Sequence, residues 1–380
     1  MKIETNNFTR NYKIVNNNNE IVFSSKSALE LPDIKEYYEY VNNIDSLSTV
    51  YYNLTKRCNF NCTYCYSVHE DSVVTLEDNE RIIQKLNQLN TKTVTLIGGE
   101  PFCHPHFHEI LKLCIDNPYF EEVCVVTNGS LIDETKMDLY CNSKVIMQIS
   151  LDGTSEQTNS KTRGKNHFDV VYANIIKLKR RGANIVVMKV ITKTNIAESM
   201  EFYSFYKRNN IDVGFFMVKQ VDSESKPTIE QLKELLNFIY INESYDIIRT
   251  FEIVNFADNM MFNSLGFPIM HCGAGISAIS VMPNGDVYPC VKMEKIGVPI
   301  VNILEDNSLN RIKNNRKKII AEEFVTKKEE CMNCDILYFC GGGCRAEEIK
   351  GRVCEHNCQY FHFAKKFFLE KQMEKYKNNI

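Results

Sequence analysis

Short apolar runs alternate with amphipathic stretches through the middle of this chain. Thr49–Leu54, Thr93–Ile97, Glu122–Thr127, Val145–Leu151, Ile185–Thr192 and Val213–Val218 have the short, apolar, β-branched-rich character of strands. Between them Leu76–Leu89, Phe107–Cys114, Asp133–Tyr140, Phe168–Arg181 and Ile196–Asn209 read as helices, with Thr75 placed to cap the first. Strands that alternate with helices predict βα units, right-handed crossovers and a parallel sheet, an α/β fold. Periodicity does not separate an open doubly wound sheet from a partial barrel. In both arrangements chemistry sits at the C-terminal ends of the strands.

The flanks read differently. Residues 1–47 hold a hairpin, Asn11–Val15 with Glu20–Phe23, around the Asn16–Asn19 run, and then a helix over Asp33–Val41. The α/β pattern fills 48–227 and stops at Lys226-Pro227-Thr228. Residues 228–270 form a mainly helical linker. From His271 the chain is punctuated by cysteine and glycine, turns at Pro283-Asn284-Gly285, and ends in a helix over Gln359–Tyr376. Residues 271–380 therefore form a separate C-terminal segment.

Composition narrows the class. Apolar residues make up 44% and charged residues 24%, as in globular proteins. A net charge of −3 gives no electrostatic case for nucleic acid. No apolar run approaches the roughly 20 residues of a membrane span, and the N-terminus lacks the apolar core of a signal peptide. The expected location is the cytoplasm. Fifteen cysteines in a reducing compartment point to metal binding before disulfides. Cys103, Cys114, Cys124 and Cys141 lie in strand- or helix-like contexts and read as buried small hydrophobes. His104, His106 and His108 straddle Pro105 at a helix start, so their rings need not converge on a metal.

The cysteines that carry chemistry begin directly after the first strand. Cys58-x3-Cys62-x2-Cys65 offers three thiols within eight residues and no fourth nearby. Zinc knuckles and ferredoxin-type clusters normally take four protein ligands. Three suffice to hold a [4Fe–4S] cube with one iron left open. This spacing resembles that of radical S-adenosylmethionine (SAM) enzymes, and the likeness extends over most of the chain. The resemblance implies a partial (β/α)6 barrel, a cube on Cys58, Cys62 and Cys65, and SAM chelating the open iron. It places Tyr64 against the adenine. It also sets the Gly98-Gly99-Glu100-Pro101 turn, whose glycines permit close approach of a backbone, at the SAM amino group. Ser150 is implied near the ribose and Arg163 near the SAM carboxylate, with Asn128 and Asp152 as further strand-end contacts.

The C-terminal cysteines resemble the seven-cysteine SPASM domain: Cys272, Cys290 in the Tyr288-Pro289-Cys290 hairpin, Cys331-x2-Cys334-x5-Cys340-x3-Cys344, and Cys358. The family's partition gives Cys331, Cys334, Cys340 and Cys358 to one auxiliary [4Fe–4S] cluster. Cys272, Cys290 and Cys344 go to the other, whose fourth position falls to Cys354, another group or substrate. Three clusters and SAM are thus the implied cofactors. A zinc ribbon on Cys331-x2-Cys334 is the structural alternative.

Relatives of this type act on ribosomally made peptides or proteins. The resemblance therefore implies an oxidoreductase that forms a 5′-deoxyadenosyl radical and installs a thioether or carbon–carbon crosslink. A flavodoxin or ferredoxin would supply electrons, and a separate leader-peptide-binding protein would serve if residues 1–47 do not suffice. In relatives that oxidise a protein Ser or Cys to formylglycine, an aspartate follows the Tyr-Pro-Cys of the hairpin. Here Val291 stands there, against that alternative. An iron–sulfur or zinc scaffold without turnover is the alternative outside the enzyme class.

Overall fold

A computed structural model describes residues 2–5, 12–16, 19–23, 47–65, 67, 70, 74–218, 225–255, 271–295, 297–334, 336–348 and 353–378. Contacts divide the chain into two compact units. One comprises Asp45–Phe238 and Ala274–Arg316, the other Met1–Ile44, Ile239–Gly273 and Lys317–Ile380.

In the first unit six strands, β4 (Thr49–Asn53), β5 (Thr93–Ile97), β6 (Glu122–Thr127), β7 (Val145–Ser150), β8 (Asn184–Ile191) and β9 (Asp212–Met217), pair in parallel in chain order. Helices α1 (Leu76–Gln88), α2 (Phe107–Asp116), α3 (Met137–Tyr140), α4 (Glu156–Arg163), α5 (Phe168–Arg180) and α6 (Ser199–Arg208) lie between them in sequence. A doubly wound sheet reverses its strand order at a switch point. Here the order never reverses, as winding in one direction toward a barrel requires. This decides between the two arrangements that periodicity leaves open.

Alternation along the strands separates two faces. Val123, Val125, Val145, Met147, Ile149, Ile185 and Val187 are fully or nearly fully buried. Their neighbours Val126, Gln148, Ser150, Met188 and Val190 keep partial exposure. The strands and most helices fall within a residue or two of the sequence reading. Thr75 caps α1 as expected, its hydroxyl accepting from the Asp78 amide at 3.1 Å. Helix α4 escapes the pattern because Glu156–Arg163 carries no apolar stripe; it is held by a capping box between Ser155 and Thr158.

The edge of β4 is covered from far along the chain. Strand β10 (Ala278–Val281) pairs with β4 in parallel, Thr49 opposite Ala278 and Tyr52 opposite Val281. β11 (Asp286–Tyr288) and β12 (Val301–Asn302) then continue antiparallel. The hairpin expected at Pro283–Gly285 thus extends the barrel sheet.

In the second unit β1 (Lys2–Thr5), β2 (Tyr12–Asn16) and β3 (Asn19–Phe23) form an antiparallel sheet, with Asn16 opposite Asn19. The expected hairpin is there, with a third strand that the pattern does not reveal; the expected helix over Asp33–Val41 lies outside the described residues. The mainly helical linker expected over 228–270 resolves, within the described residues 228–255, into α7 (Ile229–Asn242) and α8 (Ile247–Ile253), interrupted where Ser244 and Tyr245 adopt φ of 56° and 62°. After α9 (Ser308–Glu322) come α10 (Leu337–Cys340) and the terminal α11 (Glu355–Asn378). α11 packs on α8 through Phe367 and Phe251. No helix among the described residues is long and apolar enough to cross a membrane.

Candidate active site

The loop after β4 is fixed by backbone before any cofactor is considered. The Gly99 amide donates to the Thr55 carbonyl and the Glu100 amide to the Arg57 carbonyl, both at 2.7 Å. A Cβ built on Gly98 would lie 2.3 Å from the Thr55 carbonyl oxygen, and one on Gly99 2.3 Å from that of Arg57. The backbone that these two glycines admit so closely is therefore the cysteine loop itself. Their absent side chains set the position of Cys58.

Glu100 then ties three strand ends together. It is buried, and it accepts from the Thr127 hydroxyl at 2.6 Å, the Asn128 amide at 2.7 Å and the Phe102 amide at 3.3 Å. Asn128 in turn donates through its side chain to Asn59 Oδ1 at 2.8 Å, inside the cysteine loop. Pro101 opens the short 3-10 turn that follows. Burial pushes the Glu100 carboxyl up from 4.5 to about 7, against the pull of the Asn128, Thr127 and Phe102 donors. Between those values the folded chain keeps a proton that the unfolded chain releases. The fold therefore loses stability as pH rises from about 4.5 to about 7, and no more above that. At about 1.36 kcal/mol per pH unit, the full effect is about 3 kcal/mol. Glu100→Gln removes this titration. In urea unfolding, the stability difference between the variant and the parent is expected to shift toward the variant by about 2–3 kcal/mol from pH 5 to pH 8.

Asp152, just beyond β7, is the second knot. It is 1% exposed and accepts from the Tyr64 hydroxyl, from Thr162 Oγ1 at 2.7 Å and from the Val190 amide at 3.0 Å. Arg163 Nε lies 3.0 Å from Asp152 Oδ2. The guanidinium carbon stands 5.6 Å from the centre of the Tyr64 ring, and Nη1 lies 4.0 Å from Cys62 Sγ. Burial opposes the Arg163 charge most strongly of any one cause, but Asp152, Tyr64 and Cys62 together outweigh it and hold the cation. The Thr63 amide bonds the Thr162 carbonyl at 2.9 Å, so α4 and the cysteine loop are joined by backbone as well. Ser150, the last residue of β7, lies on the half-buried face.

Sequence reasoning missed the support beneath this knot. The Asp152 amide donates to Asn159 Oδ1 at 3.0 Å, and the Asn159 side-chain nitrogen meets His167 Nδ1 at 2.9 Å. His167 Nε2 reaches the Asn128 carbonyl at 3.0 Å. These partners fit one tautomer, with Nδ1 accepting and Nε2–H donating. Burial first, and then Arg163, pulls the His167 pKa down to about 4, so the ring stays neutral. Phe60 of the loop meets the same ring edge-on at 4.7 Å. No motif or spacing announces Asn159 or His167.

Cys58 and Cys62 are half-buried and Cys65 is exposed; none is in a disulfide. Burial pushes Cys58 up to about 11 and raises Cys62 as well, although Arg163 pulls the latter down. Of the scattered cysteines, Cys114 is buried as expected, whereas Cys103, Cys124 and Cys141 keep partial exposure. His108 Nε2 meets the Tyr140 hydroxyl at 2.7 Å, while the His104 and His106 ring centres are 6.2 Å apart.

The second unit contains a cavity of about 610 Å³ lined by Cys331, Cys334, Cys340 and Cys358, with Glu329, Glu330 and Glu355 among its other walls. α10 ends at Gly341, and the left-handed glycines Gly341, Gly342 and Gly343 fold the chain back. The Gly342 amide then donates to Cys340 Sγ at 3.3 Å. Arg345 braces the turn from beneath, donating to the Gly342 carbonyl at 2.9 Å and the Glu323 carbonyl at 2.8 Å. Burial pushes Cys340 up to about 12 and Cys358 to about 11, so these thiols keep their protons until a cation enters. Among the described residues no group of three or more His, Cys, Asp and Glu side chains converges as ligands of a metal ion. Cys354 is buried and is not among the lining residues, although Val353 and Glu355 are. Cys272 and Cys344 belong to this unit and Cys290 to the first; all three are half-buried and outside disulfides.

Residues 52–203 match the radical SAM superfamily, and residues 272–335 match SPASM, an iron–sulfur cluster-binding domain. The chain is 25% identical to mycofactocin maturase MftC of Mycobacterium tuberculosis (strain CDC 1551 / Oshkosh), covering 84% of this chain and 83% of that protein. Its fold is similar to Streptococcus suis SuiB bound to the precursor peptide SuiA, with a TM-score of 0.65 and 18% identity, covering 88% and 84% of the two chains. It is also similar to anSMEcpe with bound AdoMet and the Cp18Cys peptide, with a TM-score of 0.68 and 19% identity, covering 87% and 99%. The chain is a radical SAM enzyme, a member of the radical SAM superfamily with a SPASM domain, and iron–sulfur clusters and S-adenosylmethionine are its cofactors.

Proposed function

We propose that this enzyme matures a ribosomally made peptide by oxidative crosslinking. The observation that carries the reading is the three-thiol loop, bonded to residues at the ends of β5, β6 and β7 and to α4, in a chain that also holds a four-cysteine cavity. Cys58, Cys62 and Cys65 would hold three irons of the first cube and leave the fourth to SAM. When bound, cluster and SAM supply a 5′-deoxyadenosyl radical that abstracts a substrate hydrogen. The backbone of Gly98, Gly99, Glu100 and Pro101 faces the SAM amino group in this reading. Tyr64 would pack against the adenine, Ser150 would serve the ribose side, Arg163 would receive the carboxylate, and Asn128 would be a further strand-end contact. Asp152 holds Tyr64 and Arg163 in place.

Cys331, Cys334, Cys340 and Cys358 hold one auxiliary cluster, and Cys272, Cys290 and Cys344 the other. When bound, these clusters would supply an acceptor for the electron that a substrate radical must lose, or a site for a substrate thiolate. This favours a thioether or carbon–carbon bond over a redox-neutral rearrangement. The peptide bound in both solved neighbours and the maturase relative support a peptide substrate. Val291, after Cys290, weighs against formylglycine formation. A flavodoxin or ferredoxin is the fitting reductant, a leader-binding protein a further partner, and the cytoplasm the fitting compartment for so many thiols.

Anaerobic reconstitution tests the reading. About twelve irons per chain are expected for three four-iron cubes, with 5′-deoxyadenosine released from SAM under dithionite. A candidate precursor encoded beside this gene should then lose two hydrogens by mass. Zinc in place of iron with no SAM cleavage would sink the maturase reading, and conversion of a sulfatase peptide would restore the formylglycine alternative.

A further inference from the structure

We propose that the ion pair between Lys56 and Glu294 is a positioning device that locks the segment carrying Cys290 to the radical-forming loop. Lys56 lies two residues before Cys58, on backbone fixed by the flanking Thr55 and Arg57 carbonyls. Its Nζ sits 2.6 Å from Glu294 Oε1 and 3.1 Å from Glu70 Oε2. Glu294 lies on the 3-10 turn Val291–Lys295, which starts directly after Cys290, and the Met293 amide closes that turn on the Cys290 carbonyl at 3.1 Å. The pair is partly withdrawn from water, with side chains 19% and 29% exposed. Apart from the β4–β10 ladder, this is a direct side-chain tie between the first-cluster loop and the Cys290 turn.

The geometry gives the pair a task. If an auxiliary cluster on Cys290 is to take an electron from a substrate held at the first site, the two loops must keep a set spacing, and a hydrogen-abstraction geometry misplaced by about 1 Å can itself cost about a hundredfold in rate. The inference rests on the assignment of Cys58, Cys62, Cys65 and Cys290 as cluster ligands.

Amide hydrogen exchange on the reconstituted holoenzyme tests it, comparing peptides that cover 55–58 and 289–295. Glu294→Gln and Lys56→Met are each expected to speed exchange about fivefold in both segments, since loss of a partly buried pair releases both ends. Lys56→Arg keeps the charge and is expected to keep the protection. Loosening confined to the segment that carries the substitution, or exchange within twofold of the parent in both, would overturn the proposal. Loss of 5′-deoxyadenosine release on Cys58→Ala and loss of iron on Cys290→Ala test the underlying ligand assignment separately, because neither readout depends on the pair.

Discussion

Alanine at Cys58, Cys62 or Cys65 is expected to bring 5′-deoxyadenosine release down to the background of the cluster-free protein. Each thiol holds one corner of the first cube in the proposed function, and three protein ligands leave no spare. Iron content should fall by about a third, one four-iron cube of three, while the absorbance of the remaining clusters persists. Cys340→Ala makes the contrasting case. Its loss empties the cavity of the second unit, so some SAM cleavage should survive while crosslinked product disappears. Equal loss of cleavage in both sets, measured by chromatography of deoxyadenosine under dithionite, would remove the separation of roles.

Asp152→Ala is expected to cost about 3–5 kcal/mol of stability, because it strands a buried guanidinium. Arg163 is 6% exposed and has Asp152 as its ion-pair partner. The same substitution takes the acceptor from Tyr64, Thr162 and Val190. Denaturant unfolding of the cluster-free chain reads this directly, with a fall in midpoint and an unchanged slope. Asp152→Ala combined with Arg163→Met should recover part of the loss, since the stranded charge is then gone. A double variant no more stable than the single one would mean that the cost lies in the Tyr64 and Val190 bonds instead. The two experiments separate chemistry from scaffold: the thiols serve the cofactor, while Asp152 holds up the residues around it.

Much of this was legible in the residues. Strands such as Val145–Ser150 declare themselves by alternation, and Cys58-x3-Cys62-x2-Cys65 directly after β4 already points to a cofactor with an open iron. What stayed hidden depends on neighbours distant in sequence. Helix α4 has no apolar stripe, so Glu156–Arg163 reads as loop until its capping box is seen. The glycines of the Gly98–Gly99 turn read as room for a ligand, whereas the carbonyls of Thr55 and Arg57 fill that room. Asn159 and His167 connect Asp152 to Asn128 through hydrogen bonds that no spacing encodes. The pairing of β10 with β4 is of the same kind, since a parallel partner has no turn to mark it.

That last pairing has a consequence for the birth of the protein. Ser48 and Ser277 are bonded at 2.9 Å although 229 positions separate them. At roughly 5–20 residues per second, a ribosome needs about 10–45 s to deliver one after the other. Throughout that interval β4 presents an unpaired edge, which is an invitation to aggregation. The cysteine loop at its end is meanwhile complete in sequence and unsealed in structure. Nascent chains are thus most vulnerable to one another before the stretch that begins at Ala278 emerges. Slow translation or early termination upstream of Ala278 should be far more damaging than the same fault downstream of it.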